Sequence, residues 1–178
     1  MKPKPSREPR WLPWPRLRLL RPPADLCPWL VDEGSLTRRI LTRCPRRFRV
    51  VLLDQAWGRP LPGEARILGL RFEARVLIRE VELHCDATPW VYARTLIPVA
   101  TLRRGARLGR LGTRPLGEVL FSDPAVRRGS MEMTRFGPAE GPMRIQGHRG
   151  VLWGRRTLFY IAGHPLLVNE IFLHGLPR

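Results

Sequence analysis

The sequence predicts an α+β domain in which an antiparallel β-sheet carries a few helices packed on its apolar face. Three observations predict it. Several segments alternate or run apolar in the manner of strands, and tight turns join some of them directly. Helical periodicity is confined to short pieces, too few to form a bundle. The chain has 178 residues, 43% of them hydrophobic, which suits one domain with one interior.

The elements follow in order. Residues 1–25 are rich in Pro and Arg, and proline removes backbone donors and blocks helix interiors. They read as an extended, flexible, loosely docked N-terminal arm, with Trp11 and Trp14 placed to pin part of it. A single domain is expected over 26–178. The stretch DLCPWLVDEGSLTRRILTRC reads as two short helical pieces, the second capped by Ser35 after the break at Gly34. RFRVVLLD, RVLIREVELHC and WVYARTLIPV are strands, the last two forming a hairpin about the turn at 86–89. TRPLGEVLF starts a helix, with Thr113 near the cap and Pro115 at the first helical position. Residues 122–129 connect, SMEMTRF is a further strand, and GPAEGPMRIQGHRG is a Gly- and Pro-rich loop. VLWGRRTLFYI and LLVNEIFL close the sheet about the turn at 162–165.

Composition sets limits on function. No apolar run approaches the roughly 20 residues of a membrane span. The basic, proline-broken N-terminus lacks a signal peptide's apolar core. A cytoplasmic monomer is therefore expected. The net charge is +17, carried almost wholly by arginine, since the only lysines are Lys2 and Lys4. The arginines are scattered along strands and loops, so an anionic small molecule is expected as partner and nucleic acid is not. Cys27, Cys44 and Cys85 are odd in number and without C-x-x-C spacing. Neither a disulfide framework nor a zinc site is indicated, and the thiols are read as buried or idle.

Charge on apolar strand faces is the most useful local signal. In LIREVEL, Leu77, Arg79, Val81 and Leu83 share one face, while Ile78, Glu80 and Glu82 share a wetter one. In the last strand Glu170 is the only charge on the face of Leu166, Val168 and Phe172. A buried guanidinium needs a carboxylate or an anionic ligand. Either Arg79 and Glu170 balance each other or other core residues, or they face a polar ligand pocket. Helix starts at Leu36 and Leu116 each offer a backbone N–H to a carboxylate. Nucleotide-loop, zinc-protease and serine-hydrolase motifs are absent. His84, His148, His164 and His174 read as surface residues, and Arg155 and Arg156 as a solvated strand end.

At these positions the sequence resembles the chorismate pyruvate-lyase family. The resembling blocks are WLVDEGSLTRRI, LIREVEL, PWVYARTLIPVATL, LGTRPLGEVLF, LWGRR and PLLVNEIFL, in the family's order from about residue 29 to residue 173. The resemblance implies an antiparallel sheet with helices packed on it and flap-like segments over a buried ligand pocket. It implies a lyase that splits chorismate into 4-hydroxybenzoate and pyruvate without a cofactor or metal, the first committed step of ubiquinone biosynthesis. It implies that Arg79 and the amides of Leu36 and Leu116 bind the ring carboxylate. It also implies that Glu170 faces the ring hydroxyl of the product, taken here as the position of the ether oxygen in chorismate. Arg94 matches a family arginine and is expected to help bind the enolpyruvyl carboxylate. The loop at 137–150 resembles an insertion, and the arm has no clear counterpart.

The main rival is a non-catalytic module of similar fold that senses a small ligand, as in effector domains of bacterial transcription regulators. Such a regulator is expected to carry a helix-turn-helix domain, for which the first 25 residues are too short and too rich in proline. A nucleic-acid binder is suggested by charge alone.

Overall fold

The strand patterns condense into one seven-stranded antiparallel sheet. The computed structural model describes residues 8–71, 73–138, 140, 141, 145 and 148–177. The strands are β1 (Leu12–Pro13), β2 (Phe48–Gly58), β3 (Val76–Cys85), β4 (Thr88–Pro98), β5 (Val126–Phe136), β6 (Leu152–Ile161) and β7 (His164–Phe172), in the spatial order β1-β5-β6-β7-β4-β3-β2. The helices are α1 (Cys27–Leu30), α2 (Leu36–Arg43), α3 (Pro62–Leu68), α4 (Val99–Arg104) and α5 (Leu116–Ser122), with 3-10 segments at Trp14–Leu20 and Ala106–Arg110. None of the helices among the described residues is long and apolar enough to cross a membrane.

The sheet is covered on both faces. On one, α1 and α2 bury Trp29, Leu30, Leu36 and Ile40 against Val81, Leu83, Val91 and Phe172. Beside them Leu108, Leu111, Leu116 and Leu120 pack on Leu77, Ile97, Phe159 and Val168. These two clusters lie side by side, and the candidate site opens between them. On the other face, Leu68 of α3 packs with Val76, Leu96, Leu158 and Leu167. Nearby, Tyr92, Phe136, Leu152 and Ile171 pack with Ile145 and with Trp11 from the arm.

That second face departs from the expected wetter one. Glu80 is only 9% exposed and is met by Tyr92 and by Arg94, which Glu64 of α3 also holds. The arm enters through backbone and side-chain contacts that proline does not block. β1 pairs with β5, Thr134 donates to the Arg10 carbonyl, Trp11 stacks edge-on to Phe136 at 5.7 Å, and Glu8 accepts from the Gly63 N–H. The side chain of Trp14 lies outside the described residues, as do 139, 142–144, 146 and 147 of the expected loop.

Four local expectations are corrected. Pro115 is the N-cap of α5, so Leu116 is its first helical residue. The strand read from Ser130 begins at Val126, with a register irregularity between Arg128 and Met131 that breaks simple alternation. Helix α3 was not anticipated, although Pro62 in its first turn and Gly69 at its C-cap, with φ of 66°, are the usual start and stop signals. Cys44 and Cys85 form a disulfide, with Cα atoms 5.9 Å apart. It ties the C-cap of α2 to the end of β3. The 41-residue separation hid it, because only folding brings the two ends together. Disulfides are also rare in the cytoplasmic class to which composition pointed. Cys27 is free and half-buried.

Candidate active site

Alternation along neighbouring strands aims one set of side chains into the gap between the two clusters. In register, Arg79 lies opposite Thr95 and Thr95 opposite Val168, while Ala93 and Arg155 flank Glu170. The roof comes from the starts of α2 and α5. The cavity and its mouth enclose about 580 Å³ of atom-free space, part of it open to solvent. Its walls are aliphatic and aromatic: Val50, Val81, Leu83, Leu120, Phe159 and Val168. Against them stand a few polar groups, chiefly Arg79, Arg128, Arg155, Thr95, Thr157 and Glu170.

Arg79 is 2% exposed and has no carboxylate ion pair among the described residues. Its Nη2 donates to the carbonyls of Gly112 and Arg114 at 2.9 and 3.1 Å, in the turn leading to α5. Its Nε is buried without a hydrogen-bond partner. Burial lowers its pKa to about 10. A desolvated cation with an idle donor is costly unless an anion joins it.

The two helix starts meet above it. A Cβ on Gly117 would lie 3.1 Å from Ser35 Oγ and 3.3 Å from Thr37 Oγ1, so glycine permits this close approach. Ser35 caps α2 by accepting from the Arg38 N–H. Leu36 and Leu116 are both buried and line the cavity. Each opens its helix, where the N–H has no acceptor within the helix. Arg79, Leu36 and Leu116 therefore converge on one wall of the cavity.

Glu170 does not pair with Arg79. Its Oε2 accepts from Arg155 Nε at 2.5 Å. Arg155, 2% exposed, also donates to the carbonyls of Trp29 and Asp32, which fastens the α1–α2 turn to the sheet. The expected solvated strand end is thus corrected. Arg156, on the opposite face, pairs with Glu132 and lies over the Trp11 ring at 4.7 Å. His84 is corrected too: it is 9% exposed, with Nε2 2.7 Å from Glu82.

Arg94 is not in the cavity. It projects from the opposite face of β4, where Nε meets Glu64 at 3.0 Å and Nη1 meets Glu80 at 2.8 Å. Tyr92 donates to the same Glu80 at 2.6 Å, and Asn169 donates to Glu64. Burial alone would lower the Arg94 pKa, but Glu64 and Glu80 hold it above its ordinary value. Burial and the Glu80 hydrogen bond push the Tyr92 phenol up. The expected contact of Arg94 with substrate is corrected by simple strand alternation, which sends it away from Ala93 and Thr95.

Sequence reading missed Arg128 and Arg155. Arg155 alternates with Trp153 and Thr157, the same signal that marked Arg79. Arg128 precedes the register irregularity of β5, and no periodicity pointed to it.

A family model described as chorismate lyase matches residues 9–177, which takes in most of the arm. A probable chorismate pyruvate-lyase from Methylococcus capsulatus is 42% identical over 149 residues, covering 82% of this chain and 92% of its own. Another from Thiobacillus denitrificans is 42% identical over 173 residues, covering 93% and 89%. Among solved structures, a GntR-family transcriptional regulator from Bacillus cereus superposes with a TM-score of 0.56 at 11% identity, covering 74% of this chain and 95% of that one. The C-terminal domain of a histidine utilization repressor from Pseudomonas syringae gives 0.55 at 12%, with the same coverage. At that identity the likeness is one of fold.

Proposed function

The chain belongs to the chorismate lyase family, and we propose that it converts chorismate to 4-hydroxybenzoate and pyruvate as the first committed step of ubiquinone biosynthesis. The observation that supports this most is the buried Arg79, without a carboxylate partner among the described residues, beneath two helix starts and beside an apolar slot. The proposal is for a monomer in the cytoplasm.

In this reading Arg79 and the amides of Leu36 and Leu116 hold the ring carboxylate, and the aliphatic walls hold the ring. The reaction breaks the C3–O bond of chorismate. Its electron pair leaves with the enolpyruvyl oxygen, the C4 proton is lost, and the new C3–C4 double bond makes the ring aromatic. A proton added to the methylene of the released enol completes pyruvate. The product's ring hydroxyl is therefore the C4 hydroxyl of chorismate, and the ether oxygen sits on the neighbouring carbon. That corrects the expected placement of Glu170 at the ether oxygen. A carboxylate that accepts from the C4 hydroxyl stands beside the carbon that loses its proton. Arg155 fixes the orientation of this carboxylate.

The test is incubation with chorismate, with pyruvate and 4-hydroxybenzoate measured as products, with and without EDTA. Both products are expected in equal amounts, and chelation is expected to change nothing. Folded protein that releases no pyruvate would overturn the lyase reading. Binding of 4-hydroxybenzoate without turnover would favour a sensing module.

A further inference from the structure

We infer that Arg128 receives the second carboxylate of the substrate, the one on the three-carbon group that leaves as pyruvate. This rests on the chorismate reading above. Arg128 lines the cavity from β5, on the wall formed with Phe121 and Phe159. Its guanidinium lies 5.6 and 5.3 Å from the two ring centroids, which brace it in place. Its Nη1 is buried without a hydrogen-bond partner. Its Nη2 reaches, among the described residues, only the Gly34 carbonyl, at 3.4 Å. Among the described residues it has no carboxylate ion pair, unlike Arg155 and Arg94. Burial, and then the charge of Arg155, lower its pKa against the weaker opposing pull of Glu170, Glu33 and Asp32.

Among the described residues the cavity therefore carries two cations without a direct carboxylate ion pair, Arg79 and Arg128, and one carboxylate already matched to Arg155. A ligand with a single carboxylate neutralises only one of the two. Chorismate has two carboxylates, one on the ring and one across the ether bond. With Arg79 under the helix starts taking the first, Arg128 is the donor left for the second. The product 4-hydroxybenzoate lacks that group. Arg128 thus distinguishes substrate from aromatic product, and it holds the leaving group as the ring becomes aromatic.

The test is Arg128→Ala, with Arg128→Lys beside it. Equilibrium binding is measured for 4-hydroxybenzoate and for 3-(carboxymethoxy)-4-hydroxybenzoate, an aromatic dicarboxylate with an ether-linked carboxylate at the corresponding ring carbon. The dicarboxylate is expected to lose roughly ten- to a hundredfold in affinity in Arg128→Ala, and kcat/KM for chorismate to fall by a similar factor. Affinity for 4-hydroxybenzoate should stay within about twofold, and Arg128→Lys should recover part of the loss. Arg128 makes no direct carboxylate ion pair among the described residues, and Glu170, Glu33 and Asp32 act on it only from a distance, so the fold is expected to survive, and the retained 4-hydroxybenzoate affinity checks that. Equal weakening of both ligands, or of neither, would overturn the assignment. Failure of the lyase reading shows separately, as absence of pyruvate from the unaltered protein, because the binding comparison needs no turnover.

Discussion

Arg79 and Arg94 stand on adjacent strands, within one register position of each other, yet on opposite faces of the sheet. Arg79 is a buried cation, and Arg94 is nearly so, with its side chain 11% exposed. On the second face Arg94 meets Glu64 and Glu80, and its charge is held more firmly than in water. On the cavity face Arg79 meets two carbonyls and no carboxylate, and burial weakens its charge. The difference teaches which buried charge belongs to the fold and which waits for a ligand. Satisfied charge fixes the arrangement of α3, β3, β4 and β7. Unsatisfied charge is a cost that a bound anion removes.

The largest expected effect tests the cavity face. Glu170→Gln keeps the shape and the acceptor for Arg155 but removes the negative charge. Turnover of chorismate should fall by roughly 10²–10⁴, the usual worth of positioned acid–base catalysis. The melting temperature should fall only modestly, because Arg155 keeps its bonds to the Trp29 and Asp32 carbonyls. Near-normal turnover with a large drop in melting temperature would make Glu170 a partner of Arg155 and nothing more.

The second face should respond in the opposite sense. Arg94→Ala leaves Glu64 and Glu80 buried without their cation, a loss of about 3–5 kcal/mol. Denaturant unfolding measures it. Protein that remains folded should bind 4-hydroxybenzoate as before, since Arg94 lies across the sheet from the cavity. Weakened binding with unchanged stability would return Arg94 to the site.

Arg79→Ala is the counterpart and the smallest of the three. Affinity for 4-hydroxybenzoate should fall by roughly ten- to a hundredfold, the worth of a charge-assisted contact of about 1.5–3 kcal/mol. Stability should change little, because no carboxylate loses a partner. A marked loss of stability with unaltered affinity would erase the distinction between the two faces.

The fold was legible because period-two patterning needs no partner to be seen. The hairpin of β3 and β4, the closing pair β6 and β7, and the cap at Ser35 can each be read within about two dozen consecutive residues. Arg79 and Glu170 were visible for the same reason, as charges on apolar faces. Arg94 shows the limit. Resemblance marked it as functional, while alternation, applied to the same strand, would have sent it to the other face.

The sequence by itself determined the α+β class, most of the strands and the two odd charges of β3 and β7, because alternation and capping act over a few residues. Only the tertiary structure decided who pairs with whom. Glu170 could have met Arg79, and it meets Arg155 because β6 lies beside β7 with those residues in register. Cys44 found Cys85 because α2 packs over the end of β3. Arg128 entered the cavity because β5 loses simple register before Met131. Ion pairs, disulfides and cavity walls depend on distances between segments far apart in the chain, and local sequence patterns do not carry those distances.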